Sequence, residues 1–311
     1  MTRRTAITAL GAAALARPQT TPTRQDPDVS ARFGLSAPKR TAPMLCLFSR
    51  NMEKIPYAEI GNIAQQIGYE GIDLTVMIGG HVDPRITNVD LVRAFESVRG
   101  AGLEVPMITT SITSTTDPTA YAVLYLTGHS QVPLFQTGLW EYPGTGDIQQ
   151  RLAQVRRDLT QVISMGRSCD ITAMFPNRTG YVGEFVWDTQ IMIGDMDPRG
   201  VGYIFDPAEA TAASGPAGWE VALRLALPRI KAVTLQDFYW KKDGADWKMQ
   251  KCPLGEGMVD WTKFFGALAA AHFTGPVSIH MEYTAQDAVG AMSKDLEFAR
   301  KYVAQGWPAK P

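Results

Sequence analysis

Eight short apolar runs, each followed by a segment of helical periodicity, recur through this chain at a spacing of roughly 30 residues, the length of one strand-helix repeat. The runs fall at 44–48, 71–76, 105–109, 132–136, 171–175, 201–205, 230–235 and 277–281. The segments with helical spacing fall at 56–67, about 88–101, 118–126, 147–165, 184–195, 219–227, 261–272 and 288–305. Pro56 suits the first turn of a helix, where its missing N–H costs nothing, and Gly102 suits a helix end. Residues 238–257 read as a polar loop. Buried strands alternating with helices imply a parallel sheet. Eight such units in about 250 residues is the size of a closed, single-domain (β/α)8 barrel, the TIM-barrel architecture. The competing open, doubly wound sheet would carry a GxGxxG turn after its first strand, and none follows Phe48. The expected barrel domain is 43–307.

The segment before the first run reads differently. Arg3-Arg4 precedes the apolar stretch 6–16 (AITALGAAALA), which ends on the small residues of Ala14-Leu15-Ala16. A basic start, a short apolar middle and a small-residue end describe an export signal. Thr2 to Ile7 resembles a twin-arginine signal, with Ala6 where that motif prefers Phe. The stretch is too short to span a bilayer, so the expected location is periplasmic or secreted, without a stable membrane anchor. Residues 17–42, with Pro18, Pro22, Pro27 and Pro38, hold too little apolar surface to offset their ordering entropy and read as a disordered linker. A formal net charge of -1 gives no field that favours nucleic acid, and no nucleic-acid module is present. Cys46, Cys169 and Cys252 are scattered, which excludes a disulfide framework and a zinc cluster and leaves buried thiols.

A barrel of this kind gathers its chemistry at the C-terminal ends of its strands. The last run is the most informative. Side chains alternate along a strand, so Val277, Ile279 and Met281 share one face while Ser278, His280 and Glu282 share the other. A buried acid and imidazole need partners or a ligand, and a polar pocket supplies them. The other strand-end candidates are Asp73, Asn177, Asp206 and Asp237, and Trp140, Tyr239 and Trp240 are aromatic residues in the loops beyond. Asp73, Asp206 and Asp237 also admit plainer readings, as a loop cap, an Asp-Pro turn opening and a surface acid beside Lys241 or Lys242. Oxygen and imidazole donors of this mix suit Mn, Mg, Co or Zn. The three aromatic residues are suited equally to a sugar ring's apolar face and to ordinary packing.

Five phrases occur in order: 68–74 (GYEGIDL), Phe205-Asp206-Pro207, 230–237 (IKAVTLQD), 254–261 (LGEGMVDW) and the strand-end Glu282. With these the chain resembles the sugar phosphate isomerase/epimerase family of xylose-isomerase-like TIM barrels over about residues 44–303. The LGEG-VDW phrase is the most specific. The resemblance implies a divalent metal held by acids ending strands five, six and eight and by a histidine on strand seven. Asp206 and Glu282 match the strand-six and strand-eight acids. Thr234 stands where the histidine belongs, strand five ends in Pro176-Asn177-Arg178 without an acid, and Glu209 replaces a histidine that often follows the strand-six acid. Two of four ligands are therefore missing, so that His280 and another acid rebuild the site, or the metal is weak, or it is absent.

The function this implies is a sugar or keto-sugar isomerase or epimerase that moves a proton next to a carbonyl. Glu282, His280 and Asp237 are its catalytic candidates. Asn177, Asp73, Trp140, Tyr239 and Trp240 are expected to bind a carbohydrate, and Asp206, Glu282 and His280 to hold a metal. Two alternatives stay open: a keto-glycoside lyase or hydrolase, and a non-catalytic carbohydrate-binding protein on the same barrel. The sequence is compatible with an oligomer.

Overall fold

The computed structural model describes residues 40–308. The expected export signal and nearly all of the expected linker lie outside the described residues. Ten strands form: β1 (Met44–Phe48), β2 (Gly71–Val76), β3 (Glu104–Thr110), β4 (Leu134–Gln136), β5 (Thr172–Pro176), β6 (Val201–Phe205), β7 (Ile230–Leu235), β8 (Asp237–Asp243), β9 (Asp246–Cys252) and β10 (Pro276–Ile279). Eight of them close into a barrel in the order β1-β10-β7-β6-β5-β4-β3-β2. Each barrel pairing is parallel, including the closing one, in which Leu45 to Leu47 run beside Val277 to Ile279. The expected eight-stranded TIM barrel is the fold.

The eight α-helices among the described residues are α1 (Tyr57–Ile67), α2 (Thr87–Gly100), α3 (Ala120–His129), α4 (Ile148–Ser168), α5 (Val186–Ile193), α6 (Pro207–Ala226), α7 (Trp261–Ala270) and α8 (Ala288–Gly306). Strand alternation sorts the side chains into two apolar layers. Ile72, Leu74, Ile108, Phe135, Phe175, Tyr203, Phe205, Val233, Leu235, Val277 and Ile279 join one large buried cluster with helix residues such as Leu91, Leu159 and Phe264. Met107, Met174, Ile204 and Ala232, the neighbours in between, form a small separate cluster that plugs the barrel interior. One step further along, Thr109, Gln136, Asp206 and Thr234 are polar, and they help to build the site.

Three elements differ from expectation for local reasons. β4 begins at Leu134, because Pro133 has no N–H to give to a ladder. α6 begins at Pro207, directly after β6. Asp206 caps it, accepting from the backbone N–H groups of Ala208 and Glu209 at 2.8 and 3.1 Å, and Pro207 fills the first helical position. Gly215, at φ +70°, and Pro216 then break α6 into two segments. Residues expected to be a polar loop form the antiparallel hairpin β8–β9. Its two-residue turn, Gly244-Ala245, places Gly244 at φ +63°, a turn that matches strand twist and that a side chain would strain.

Candidate functional site

The strand ends enclose a cavity of about 570 Å³. Phe48, Thr109, Gln136, Asn177, Arg178, Asp206, Thr234, His280 and Glu282 line it, so seven barrel strands contribute. β10 ends at Ile279, two residues short of the expected run, and the segment directly after it supplies the central pair, His280 and Glu282. Asn51 fixes the end of that strand, its amide donating to the Ile279 carbonyl and accepting from the Met281 N–H, each at 3.1 Å. The His280 ring then lies flat on Phe48, centroids 3.7 Å apart. Its Nε2 is 3.1 Å from Ser278 Oγ and 3.8 Å from Asp73 Oδ2.

Asp73 lies one step deeper, fully buried. Its two oxygens accept from Thr109 Oγ1 and Ser278 Oγ, both at 2.8 Å. It therefore supports His280 from beneath and is not part of the cavity wall. Burial alone would lower the basicity of His280, but the carboxylates of Asp73 and Glu282 close to the ring outweigh it and hold the imidazole above its ordinary pKa. Nδ1 of His280 has no hydrogen-bond partner and sits 4.0 Å from Glu282 Oε1.

Glu282 is held by Arg178. The guanidinium donates to both carboxylate oxygens at 3.1 Å, a two-pronged geometry that adds direction to charge. Burial works against ionisation of Glu282, but His280 and Arg178 overcome it and keep the carboxyl far below its usual range. Arg178 also lies 3.7 Å from Glu209 Oε1. Glu209, almost wholly buried, receives Lys251 Nζ at 2.9 Å, Gln236 Nε2 at 2.9 Å and the Thr179 N–H at 3.0 Å. Burial opposes its charge, while Lys251 and Arg178 more than compensate and depress its pKa. Asp206 next to it moves the other way, pushed upward by burial and by the charge on Glu209. Gln236 donates to Asp206 Oδ2 as well. Asn177 and the Asp206 backbone exchange two hydrogen bonds of 2.9 Å, which lock the ends of β5 and β6 together.

The structure thus brings Asn177, Asp206, His280 and Glu282 to one cavity, with Asp73 behind them. The other expected site residues lie elsewhere. Asp237 points away, into the loop between β9 and α7. Its oxygens accept from the N–H groups of Phe238, Gly255, Gly257 and Val259 and from the indole of Trp261, at 2.9–3.3 Å. A carboxylate with that many donors anchors a loop and has no lone pair left for a ligand. A Cβ on Gly257 would come within 2.1 Å of Asp237 Oδ1, so the glycine is needed for this close approach. The phrase LGEG-VDW is the cage of Asp237. Trp140 is buried and stacks on Phe175 at 5.5 Å. Tyr239 and Trp240 stand on the hairpin, and Trp240 shares a shallow surface recess with Trp247. None of these three aromatic residues lines the central cavity. Cys46, Cys169 and Cys252 are buried free thiols.

The expected metal trio of Asp206, Glu282 and His280 does not converge. Among the described residues no group of three or more His, Cys, Asp or Glu side chains could hold a metal ion. The donor set explains why. Asp206 spends one oxygen on the α6 N-terminus and the other on Gln236. Glu282 gives both of its oxygens to Arg178. Neutral Asn177 and Thr234 are weak ligands for a transition metal compared with carboxylate and imidazole. The residues present do not fit a divalent ion.

A second recess, of about 760 Å³, opens on the far side of Phe48, Arg50, Arg178 and Glu282, which border both spaces. It lies between the 52–55 segment and the start of α8. Sequence reading places Arg178 and Gln236 at strand ends without giving either a role, and it misses Lys251. Arg178 follows Asn177 directly, so the strand-five end did contain the signal. Lys251 comes from the hairpin, and nothing in its own neighbourhood points to Glu209.

Residues 62–302 match the xylose isomerase-like TIM barrel family. This chain belongs to that family. Solved members are similar throughout the barrel. A xylose isomerase-like TIM barrel protein from Mycobacterium smegmatis, in complex with magnesium, superposes with a TM-score of 0.65 at 16% identity, covering 86% of this chain and 98% of that one. D-allulose 3-epimerase from Methylomonas sp. gives 0.64 at 14% identity, covering 85% and 99%. The 3-keto-D-glucoside 4-epimerase from E. coli gives 0.65 at 14% identity, covering 83% and 99%. At these identities the likeness is one of fold. No curated protein is similar enough in sequence to be matched. Among the described residues of this family member, no helix is long and apolar enough to cross a membrane.

Proposed function

We propose that the chain is an epimerase or isomerase of a sugar or keto-sugar, acting by proton transfer at the carbon next to a carbonyl. One observation carries the reading: Glu282 and His280, two proton-transfer groups in the segment directly after β10, face the same cavity at the mouth of the barrel. A depressed carboxyl and an elevated imidazole make a base and an acid whose environments set their roles apart. In the free protein Glu282 is a weak base, because Arg178 occupies both of its oxygens. A substrate oxygen that takes over the guanidinium frees the carboxylate, and its basicity rises at the moment it is needed. His280, stacked and hydrogen-bonded from below, offers Nδ1 to the substrate as acid. Fold relatives that include sugar 3-epimerases and a 3-keto-D-glucoside 4-epimerase support a carbohydrate with a carbonyl.

The N-terminal pattern supports an exported protein. Phosphorylated sugars are scarce outside the cytoplasm, so the substrate is a free sugar or an oxidised glycoside. The test is exchange in D2O. Ketoses and 3-keto-glycosides are incubated with the protein, and deuterium uptake at the carbon beside the carbonyl is followed by proton NMR. Wild-type protein is expected to exchange one such proton, and Glu282→Gln to slow this by about 10²-fold or more. Exchange at the wild-type rate in that variant removes Glu282 from the chemistry. Release of the aglycone from a 3-keto-glycoside would make the enzyme a lyase.

A further inference from the structure

A site that polarises a carbonyl needs a positive charge near the oxygen that becomes an enolate. Here neutral Asn177 and Thr234 stand where the resemblance implies two metal ligands, while a side-chain cation stands among the acids of the site. Arg178 bonds both oxygens of Glu282 at 3.1 Å and approaches Glu209 at 3.7 Å. We propose that the guanidinium of Arg178 is the resident cation of this site and does the work a divalent metal would otherwise do.

Three observations on separate residues support it. The first is charge balance. The carboxyls at the mouth, Asp206, Glu209 and Glu282, face Arg178 and Lys251, with His280 beside Glu282. Side chains therefore compensate the acids from within, and a further dication would leave the buried cluster with excess positive charge. The second is Gln236, whose amide donates to both Asp206 and Glu209. A neutral donor placed between two carboxyls holds them without an ion. The third is Nδ1 of His280, which is buried, without a partner and 4.0 Å from Glu282. It marks where a ligand's polar atom is received, next to the guanidinium. Arg178 is planar, permanently charged and weakly hydrated, which suits it to a desolvated oxyanion.

The step this implies balances without a co-reactant. Glu282 takes the proton from the carbon, the C–H electron pair forms the C=C bond, and the carbonyl π pair moves onto oxygen, where Arg178 meets the charge. Return of a proton to carbon, on the same or the opposite face, restores the carbonyl. This chemistry rests on the proton-transfer reading above, whereas the placing of the cation does not.

The experiment uses Mn(II) as a probe and reads binding instead of turnover. Free Mn(II) is followed by electron paramagnetic resonance over the purified full chain. Wild-type protein is expected to show no saturable binding up to about 1 mM. Arg178→Ala, with Arg178→Met as a second variant that keeps the apolar stem, should release Glu282 and Glu209 and bind Mn(II) at least about tenfold more tightly than wild type. Adding Glu282→Gln to either variant should abolish that gain, and millimolar guanidinium should compete with the metal. Saturable Mn(II) binding by the wild type that Glu282→Gln removes would overturn the proposal, and that measurement needs no Arg178 variant to fold. Failure of folded Arg178 variants to bind Mn(II) would overturn it as well. Neither result bears on whether the protein exchanges a proton, and a chain that exchanges none could still hold its cation this way.

Discussion

The acids of this barrel show how environment divides one side-chain type into separate roles. Glu282 is held ionised by Arg178, Asp206 is driven toward its neutral form, and Asp295 is raised to about 6. Burial is the main cause at Asp295, with Glu256 and Asp237 adding to it. The Leu254 N–H at 3.0 Å and the Tyr283 hydroxyl at 2.9 Å partly offset them. The sign follows from linkage. A carboxyl raised from 3.8 to about 6 gives stability that is fully present below its unfolded value and lost as pH rises to its folded one. Asp295→Asn removes that loss. The unfolding free energy of the variant relative to wild type is therefore expected to rise by roughly 1–3 kcal/mol between about pH 4 and pH 7. Urea titrations of both proteins across that range check it, and a difference independent of pH would mean that Asp295 does not titrate there. Residue by residue, the part of the site legible in the sequence was the part set by strand parity. His280 and Glu282 had to share a face with Ser278, and the structure turns Ser278 inward on β10 and the other two into the cavity just beyond its end. Asp237 obeyed the same position rule and still turned outward, because five donors, three of them from the loop after β9, outbid an open pocket.

The strands and most helices were legible because each carries its own period and its own ends. The two elements that were not had signals of another kind. The first half of α6 is announced by its cap, Asp206-Pro207, more than by any apolar stripe, and an Asp-Pro pair reads equally well as a turn. The hairpin β8–β9 has mostly exposed residues, so its alternation of Phe238, Trp240 and Lys242 is diluted by charge on both faces. Between the hairpin and α7, the Asp237 cage ties three elements to one carboxylate: the start of β8, the loop after β9 and the first turn of α7. Asp237→Ala would leave several buried N–H groups without an acceptor, each costing about 1–3 kcal/mol. The variant is expected to lose about 3 kcal/mol or more of stability, measured by chemical unfolding. A loss below about 1 kcal/mol would show that water or the loop itself replaces the carboxylate.

At the scale of the molecule, closure rests on β1 and β10, the first and last strands of the barrel, which lie far apart in the chain. A chain ending at Gly275 lacks β10 and α8 and leaves β1 and β7 as open edges over an uncovered core. Such edges invite pairing with other chains. This truncated chain is expected to bind a hydrophobic dye and to aggregate, in contrast to the full barrel; a soluble, cooperatively unfolding product would show that closure is dispensable. The overall architecture was legible because eight repeats of the right length admit few closed solutions. The ionic wiring was not, because it joins residues whose neighbourhoods in sequence have nothing in common. Lys251 is the sharpest case, a lysine on an appended ribbon that neutralises the buried Glu209 behind the cavity wall. The ribbon belongs to none of the eight repeats, so its length and charge are free to drift without disturbing the ring. Evolution therefore has a lever outside the scaffold for resetting the acidity of the chamber, one that leaves every structural strand untouched.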